Sequence, residues 1–571
     1  MTLKMLLITA ACLFLSALSA LGDEIMLPAG ISDAEALRLG EKMYREGILP
    51  SGEPMQAIVM GDIPMDGRMF TCDDCHQRSG LGSVEGTVIT WPTNGKELYK
   101  PRRKTGAWRP PEGDAEKMDD RRHLPRYWQI EDARPAYTDR SLARVLLTGV
   151  DPAGRKLNPV MPLYLLGEED MSILVHYLKN LSVEPAPGVD DSTIRFATVV
   201  AGNVAPEDRQ AMLTTLQAHI DAHNSQSRHQ ERRSASGPFF KTEMYQAYRR
   251  LQLDVWELHG PEETWPAQLE NYYAQEPVFA LVGGLASGSW RPVHEFCEQH
   301  KIPAIFPLTG FPVVAESDWY TLYFSKGLYQ SGEAAARFLH AREGLADDAQ
   351  VVIVFRENAE SAALRQGFAE SWRRFSRLEP QYVPLGPDDR PTGQFWLDIV
   401  RTHRPAVLIL WLGAEDLGGM DTLAGEEAVP TIFLSSEMLR YSFNSVPEGL
   451  RESAYLTYPR NLPETWGKRM LPVSRWLQAR DIPVTNLEIQ AKMYFLGWML
   501  PGAIGYMRSE FFRDYFLEGF DMMVDQDYAI AVYPRLTFGS GQRYASKGCY
   551  IVQLTGGPDP RPVPQSDWVI H

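Results

Sequence analysis

The sequence has a single C-x-x-C pair, no surplus of positive charge and, beyond its N-terminus, no apolar run of membrane-spanning length. One C-x-x-C pair excludes a zinc site built from two of them. Lysine and arginine number 57 against 73 aspartates and glutamates, a net charge of −16, which disfavours nucleic-acid binding because that requires a basic surface. The run from Met493 to Met507 is interrupted by Pro501 and falls short of the about 20 residues that a spanning helix needs.

Motifs of common enzyme classes are absent as well. The chain has no phosphate-binding GxxxxGK[ST], no HExxH and no GxSxG nucleophile elbow, so we expect it not to be an enzyme. Its composition, with 44% hydrophobic and 23% charged residues, is that of a globular protein. A chain of 571 residues is too long for one ordinary domain, and we expect two or three.

Residues 1–22 are typical of a signal peptide. Lys4 supplies the positive start, Met5 to Leu15 the short apolar stretch, and Ala20-Leu21-Gly22 a small-residue cleavage site. The apolar stretch is too short for a membrane anchor, and the residues before Cys12 lack the leucine expected of a lipoprotein signal. We therefore expect an exported, periplasmic protein that does not span the membrane.

Cys72 and Cys75 are followed directly by His76, and this CxxCH sequence is the signature of covalent haem attachment. The two thiols add to the vinyl groups of the haem, which holds the adjacent imidazole under the iron as its proximal ligand. A redox-active C-x-x-C is the alternative, but no βαβ pattern surrounds the motif, as a thioredoxin-like site would require. The sequence therefore predicts one covalent haem c.

The flanks of this motif carry a family resemblance. Ser32-Asp33-Ala34-Glu35 is a capping box that opens a helix, and residues 168–181 have the apolar spacing of a second helix. Between them, Asn158-Pro159-Val160-Met161-Pro162 holds a methionine in an extended loop. Over about residues 30–183 the chain resembles class I cytochrome c domains. The resemblance implies a small all-α domain in which Met161 is the distal iron ligand opposite His76.

Other side chains compete for the distal position. Met65, Met69, Met118 and Met171 lack the Met-Pro context, so core or loop packing is the simpler interpretation. His123 and His176 are further candidates, and His176 falls inside the second helix. The segment 96–134 is rich in Lys, Arg, Pro and Trp, and it is either a surface excursion or a docking surface.

After residue 181 the chain changes character. Residues 182–192 contain Pro185, Pro187 and Gly188 and predict a linker. Beyond it, apolar strand-like runs alternate with helix-length segments, which predicts parallel sheets with helices on both faces. The predicted strands are 194–200, 251–258, 278–284, 351–355, 406–412 and 431–434, and the clearest helices are 206–223 and 265–275. About 380 residues are too many for one such sheet, so we expect two lobes.

A second resemblance covers about residues 193–560. The runs 278–289 and 301–307, and the end of the chain at 536–554, are similar to type 1 periplasmic binding proteins, in particular the branched-chain amino acid and amide receptors of ABC transporters. The resemblance implies two α/β lobes that close on a small solute. By position it puts Ser287, Ser289 and Thr309 on the first lobe's side of the cleft and Glu437 on the second. The alternative is that these serines and the threonine only cap helices and turns.

The chain departs from that family's amino-acid receptors at two places. Residues 357–361 replace an aspartate-rich turn that ends in Tyr-Gly, and Phe324-Ser325 stands where an arginine commonly follows the phenylalanine; both count against an amino-acid solute. Cys297 and Cys549 are either a disulfide or two buried thiols, because spacing alone cannot place them.

The expected organisation is a signal peptide (1–22), a cytochrome c domain (23–181), a linker (182–192) and a two-lobed binding-protein-like domain (193–571). Two functions fit it. In the first, the protein is a periplasmic electron carrier whose redox partner is a dehydrogenase or another cytochrome, and the second domain serves solute sensing or partner docking. In the second, the protein is a receptor for a small organic solute, works with an ABC permease, and carries the haem as a redox sensor.

Overall fold

The structure is a computed structural model, and it divides the chain into two compact units, Met1–Pro185 and Ala186–His571. The boundary falls inside the expected linker, 182–192. The expected signal peptide lies outside the described residues, as do Met118 and His123. The structure describes residues 24–85, 88–102, 133–234, 249–315, 317–375, 377–426, 429–523 and 530–570. None of the helices in these ranges is long and apolar enough to cross a membrane.

The described part of the first unit is built mainly from helices, with two small antiparallel sheets. The larger sheet has the strand order β2-β1-β5. A domain made of helices alone was expected from the sequence, and the sheets are a departure from that expectation. Its elements are α1 (Asp33–Glu46), β1 (Gln56–Val59), β2 (Ile63–Asp66), α2 (Cys72–His76), β3 (Val84–Glu85), β4 (Val88–Ile89), α3 (Gly95–Leu98), α4 (Asp139–Thr148), β5 (Leu163–Tyr164) and α5 (Glu168–Asn180).

The two long helices of this unit, α1 and α5, pack on each other. Helix α1 begins at Ser32, whose hydroxyl accepts the backbone N–H of Glu35, as the capping box predicted. At the crossing, a Cβ on Gly40 would overlap the side chain of Tyr177, so only glycine allows this approach. The rings of Tyr44 and Tyr177 lie 5.5 Å apart in a fully buried contact. The two helices predicted from the sequence are therefore present and in contact.

The second unit consists of two α/β lobes. The first lobe opens with β6 (Thr193–Ala201), α6 (Pro206–Ser234), β7 (Arg250–Leu258), α7 (Trp265–Gln275), β8 (Ala280–Val282), β9 (Leu285–Ala286), α8 (Arg291–His300), β10 (Ala304–Ile305) and β11 (Thr321–Leu322). The second lobe follows with α9 (Leu328–Ala341), β12 (Val351–Arg356), α10 (Ala359–Arg373), β13 (Gln381–Leu385), α11 (Gly393–His403), β14 (Val407–Trp411), β15 (Thr431–Ser435) and β16 (Ala454–Tyr458). The chain then adds α12 (Pro463–Gln478), α13 (Leu487–Met507) and α14 (Arg513–Asp521) to the first lobe, and β17 (Gly548–Leu554), β18 (Pro562–Pro564) and β19 (Val569–Ile570) to the second.

The sheet of the first lobe is parallel throughout, in the order β11-β10-β8-β6-β7, with β9 also paired to β6. Alternate residues of β6 face two separate hydrophobic clusters. Ala197 and Val199 pack with the side of α7 and α8, whereas Ile194 and Phe196 pack with α6, α12, α13 and α14. Helices therefore cover both faces of the sheet, as the alternation of strands and helices predicted.

The sheet of the second lobe has the order β13-β12-β14-β15-β16-β17-β18. Its first five strands are parallel, while β17 runs antiparallel to β16 and β18. The sequence analysis expected parallel sheets, and the reversal arises because the chain enters β17 from the first lobe. Two clusters again cover opposite faces, one packed on α9 and α10 and the other on α11.

The backbone passes between the lobes three times: between β11 and α9, between β16 and α12, and between residue 538 and β17. The first and third passages bond to each other, since Ala545 donates to the carbonyl of Tyr323 and Ser546 donates to that of Phe324. The second passage is anchored by Asn461, whose side chain donates to the carbonyls of Ile530 and Ala531. The residues at these passages are thereby held close together.

Two glycines make the crossing of α9 and α10 possible. A Cβ on Gly332 would overlap the carbonyl oxygen of Leu364, and a Cβ on Gly367 would overlap that of Tyr329. We expect Gly332→Ala and Gly367→Ala each to lower the free energy of unfolding, because overpacking costs about 1–3 kcal/mol. Differential scanning calorimetry of the full chain measures the change.

The matched control for this prediction is Gly505→Ala. Gly505 is also helical, but a Cβ there would meet nothing within 4 Å, so the higher helix propensity of alanine should stabilise the unit by up to about 1 kcal/mol. Equal stability of the three variants would contradict a close helix crossing at Gly332 and Gly367.

Candidate functional site

The CxxCH motif forms a short helix whose start is defined by side-chain caps. In α2, the hydroxyl of Thr71 accepts the N–H of Asp74, and the Asp74 carboxylate accepts the N–H of Thr71. After the helix the chain turns sharply at Gln77, whose φ is 64° and whose carbonyl accepts the hydroxyl of buried Tyr44 at 2.7 Å. These bonds hold the motif against the packed helices α1 and α5.

His76 is the most informative side chain of this motif. Its ring atom Nδ1 lies 2.8 Å from the carbonyl oxygen of Trp91, which makes Nδ1 the protonated nitrogen because a carbonyl can only accept. The other nitrogen, Nε2, is buried and has no hydrogen-bond partner among the residues that the structure describes. Burial lowers the pKa of His76, and the bond to Trp91 offsets this only in part. The lone pair of Nε2 is thus available to an electrophile such as a metal ion.

No disulfide joins Cys72 and Cys75 in the described chain. Cys72 is buried, and its sulfur lies 3.6 Å from the hydroxyl of Tyr164. Burial raises the pKa of the Cys72 thiol to about 12, so the thiolate is disfavoured. A nucleophilic or disulfide-exchanging C-x-x-C needs a lowered pKa, and the surroundings of Cys72 do the opposite.

Met161 lies in a tight turn rather than in the extended loop that the prolines predicted. Its N–H donates to the carbonyl of Asn158, and the side chain of Asn158 accepts the N–H of Val160. The turn leads into β5, which pairs with β1 and carries Tyr164, the residue that contacts Cys72. Met161 packs against the hydrophobic cluster that contains both of these residues. The fold therefore brings Met161 and the CxxCH motif to one core from opposite ends of the unit.

Three of the competing distal candidates lie on the surface, in the core and on a helix. Met69 is 68% exposed and Met171 is fully buried in helix α5. His176 lies on α5, with Nε2 3.8 Å from the carboxylate of Asp33. Of the segment 96–134, residues 103–132 lie outside the described part. Arg134 is buried and donates to the backbone carbonyls of Glu97, Leu98, Lys100 and Pro135.

In the second unit, the three hydroxyl residues assigned to the first lobe's side of the cleft bond to backbone. Ser287 accepts the N–H of Asn203, Ser289 accepts that of Arg291 at the start of α8, and Thr309 accepts that of Phe311. Ser287 also lines a cavity of about 290 Å³ at the carboxyl ends of β6 and β7. Among the described residues, no hydrogen bond joins these three side chains to Glu437. The bonds of Ser289 and Thr309 are those of a helix start and a turn, whereas the bond of Ser287 joins it to a residue far away in the sequence.

Glu437 follows strand β15 and is the centre of a polar cluster that sequence analysis found only in part. The hydroxyl of Ser331 donates to its Oε2 at 2.7 Å, and within the described chain it forms no ion pair. Burial raises the pKa of Glu437, while Ser331, Lys492 and Arg460 act in the opposite direction. Relative to an ordinary glutamate, the neutral acid is favoured here.

An ion-pair chain lies beside Glu437. Nζ of Lys492 is 2.9 Å from Glu488, and the guanidinium of Arg460 is 3.5 Å from the same carboxylate. Burial opposes the charge on Lys492, but Glu488 more than compensates, and the pKa of Lys492 is raised. The Lys492, Glu488 and Arg460 side chains keep 17%, 36% and 20% of their surface exposed. They are partly buried ions that solvent still reaches.

Aromatic rings surround the cations of this cluster. Arg460 lies 3.3 Å above the ring of Tyr441, and the rings of Tyr458 and Trp466 are within 5.4 Å of it. Lys492 lies 5.5 Å from the ring of Tyr533. We call Ser331, Glu437, Tyr441, Tyr458, Arg460, Trp466, Glu488, Lys492 and Tyr533 the interlobe cluster. Tyr441 follows β15 of the second lobe, and Arg460 follows β16 in the passage that leaves this lobe. Glu488 and Lys492 lie on α13 of the first lobe.

Sequence analysis missed most of the interlobe cluster. Glu488 and Lys492 stand one turn apart at the start of α13, a helix whose other residues are mostly apolar, and this isolated charged pair was the available signal. Arg460 follows a buried strand, which was a second signal. Cys297 and Cys549 are free and buried in the cores of different lobes, so the structure corresponds to two buried thiols.

No protein-family model and no curated protein matches this sequence. Solved structures similar to it include a fatty acid ABC transporter substrate-binding protein from Thermomonospora curvata (TM-score 0.42, 14% identity, 68% of this chain and 95% of that one). A leucine-binding protein from Thermotoga maritima gives a TM-score of 0.42 at 13% identity, over 66% of this chain and 99% of that one. A solute-binding protein of an ABC transporter from Rhodopseudomonas palustris, in complex with p-hydroxybenzoic acid, gives a TM-score of 0.42 at 11% identity. The match covers 66% of this chain and 97% of that one.

Proposed function

We propose that the first unit binds one haem c covalently through Cys72 and Cys75, with His76 and Met161 as iron ligands, and that the protein is a periplasmic electron carrier. The observation that carries this proposal is the buried Nε2 of His76, which has no hydrogen-bond partner. A buried polar atom without a partner costs about 1–3 kcal/mol. A metal bond at Nε2 would remove that cost.

The protein's own groups fit such a ligand. The carbonyl of Trp91 fixes the proton on Nδ1, and this type of outer-shell bond orients a metal-bound imidazole and raises its basicity. The turn at Asn158 to Met161 delivers a thioether into the same core. Haem iron with histidine and methionine ligands supplies one-electron transfer at a raised potential. The redox partner would be a periplasmic dehydrogenase or another cytochrome.

Covalent attachment is tested by removing the thiols. We expect Cys72→Ser/Cys75→Ser to lose haem that survives denaturing electrophoresis, because each thioether bond to the haem uses one of these two sulfurs. Haem staining of the gel, with protein made in a host that attaches haem c, is the measurement. Cys297→Ala, which changes a buried thiol of the second unit, is the control and should stain like the wild type. A double variant that still stains would refute the attachment site.

The distal ligand is tested by comparing two methionines. We expect Met161→Ala to lower the midpoint potential and to change the ferric absorption spectrum, since a thioether ligand raises the potential of the haem. Met69→Ala removes the exposed competitor next to the CxxCH motif and should leave both unchanged. Potentiometric titration with optical detection measures the two effects. The assignment of Met161 fails if Met69→Ala moves the potential and Met161→Ala does not.

A second function is supported by the second unit, that of a solute receptor. The interlobe cluster lies where the backbone passes between the lobes, at the carboxyl ends of β15 and β16, which is where open parallel sheets bind ligands. It combines partly exposed charges with aromatic walls, the usual lining of a ligand site. In this function the unit resembles type 1 periplasmic binding proteins, an ABC permease is the expected partner, and the haem acts as a redox sensor.

A calorimetric screen of the full chain tests the receptor function. Amino acids, amides, alcohols, aromatic acids and short organic acids form the panel. We expect at least one class to raise the melting temperature, because a ligand at 100 times its dissociation constant adds about 2.7 kcal/mol to the free energy of unfolding. If every compound leaves the melting curve of a folded protein unchanged, the receptor function is wrong and the second unit is a docking module.

A further inference from the structure

We infer that the interlobe cluster binds a monocarboxylate with an apolar or aromatic body and no ammonium group, and that Arg460 and Lys492 hold its carboxylate. The inference deepens the proposed receptor function and rests on it. The charges, the neighbours and the position of the cluster each support it separately.

The interlobe cluster contains side chains from both lobes. Glu437 and Arg460 belong to the second lobe and its outgoing passage, while Glu488 and Lys492 belong to α13 of the first. The ion pair between Arg460 and Glu488 therefore joins the two lobes. A solute that replaces or extends this bond would contact both lobes at once, which is the geometry in which binding favours closure.

The two ion pairs of the cluster have a net positive charge, which favours the binding of one anion. The three ionised groups joined by the two ion pairs carry two positive charges and one negative charge. The remaining acid, Glu437, has its charge disfavoured by burial. Partly buried cations are stabilised by an opposite charge because the local dielectric is low, and a carboxylate is the group that a guanidinium binds in bidentate fashion.

The neighbours of the cluster describe the rest of the solute. Tyr441, Tyr458 and Trp466 present ring faces around Arg460, and Tyr533 does so for Lys492. Ring faces pack against apolar and aromatic groups. An ammonium group would instead lie beside the two cations Arg460 and Lys492, which repel it. An α-amino acid is therefore a poorer fit than the corresponding acid.

The experiment compares three forms of one carbon skeleton by isothermal titration calorimetry on the full chain. One set is 3-phenylpropanoate, 3-phenylpropanamide and phenylalanine; the other is 3-methylbutanoate, 3-methylbutanamide and valine. The expected result is that at least one acid binds at least tenfold more tightly than its amide and its amino acid. An amide or an amino acid that binds as tightly as the acid overturns the inference but leaves the receptor function standing. If no member of either set and no compound of the wider screen binds, both fail.

Variants then test which side chains hold the carboxylate. Arg460→Gln and Lys492→Gln should each weaken binding of the acid at least tenfold and leave the weak binding of the amide unchanged. Arg480→Gln is the matched control, because Arg480 also stacks on a tryptophan, Trp476, at 4.3 Å but lies outside the cluster. Circular dichroism identifies a variant that fails to fold. In that case the remaining variant and the comparison of acid, amide and amino acid test whether the cations hold the carboxylate. Unchanged affinity in a folded Arg460→Gln or Lys492→Gln protein overturns the assignment.

Discussion

The triple passage of the backbone between the lobes is the constraint on which the second unit depends. Strand β17 can join the sheet of the second lobe only after the chain has built three helices on the first, so β17 arrives antiparallel to β16. The backbone bonds between residues 323–324 and 545–546 hold the first and third passages side by side, and Asn461 ties the second passage to residues 530–531, which precede the third. Side chains of different lobes, such as Arg460 and Glu488, meet for this reason. The interlobe cluster is thus a consequence of chain topology, and its charges are stabilised by one another within it.

The first unit poses a different energetic problem, which is the burial of groups that ordinarily need partners. A histidine nitrogen without a hydrogen bond and a thiol with a raised pKa are unfavourable features when each is taken alone. They share one core, and that core also receives Met161 through the pairing of β5 with β1. A ligand that binds such groups in the folded protein raises the free energy of unfolding. The proposal of a haem explains both features with one group.

The elements that sequence analysis predicted well are those whose signals are local. The strands at 194–200 and 351–355 are apolar runs rich in branched residues, and the helix 265–275 has its bounds as predicted. The run 278–284 stops being a strand at 282, because Gly283 and Gly284 have φ values of 63° and 117°, which break the extended backbone. The hairpin of β1 and β2 was not foreseen, since each strand has only four residues and the second contains Pro64. Glu437 was found by position, whereas Arg460 and Lys492 were not, because their proximity depends on the passages between lobes and on no local pattern.

The two units have separate hydrophobic cores, and this bears on how a haem and a solute could influence each other. Among the described residues, the cluster around Tyr44, Cys72 and Tyr164 is built from the first unit, and the clusters of the two lobes are built from the second. Coupling therefore requires a free-energy difference that both ligands sense, and the coupling of two binding equilibria is reciprocal. If a bound solute shifts the midpoint potential, reduction must shift the solute affinity by the same free energy. An electron carrier with a docking module needs no such coupling, whereas a redox-sensing receptor cannot function without it, so the size of the coupling separates the two functions more sharply than either binding event alone.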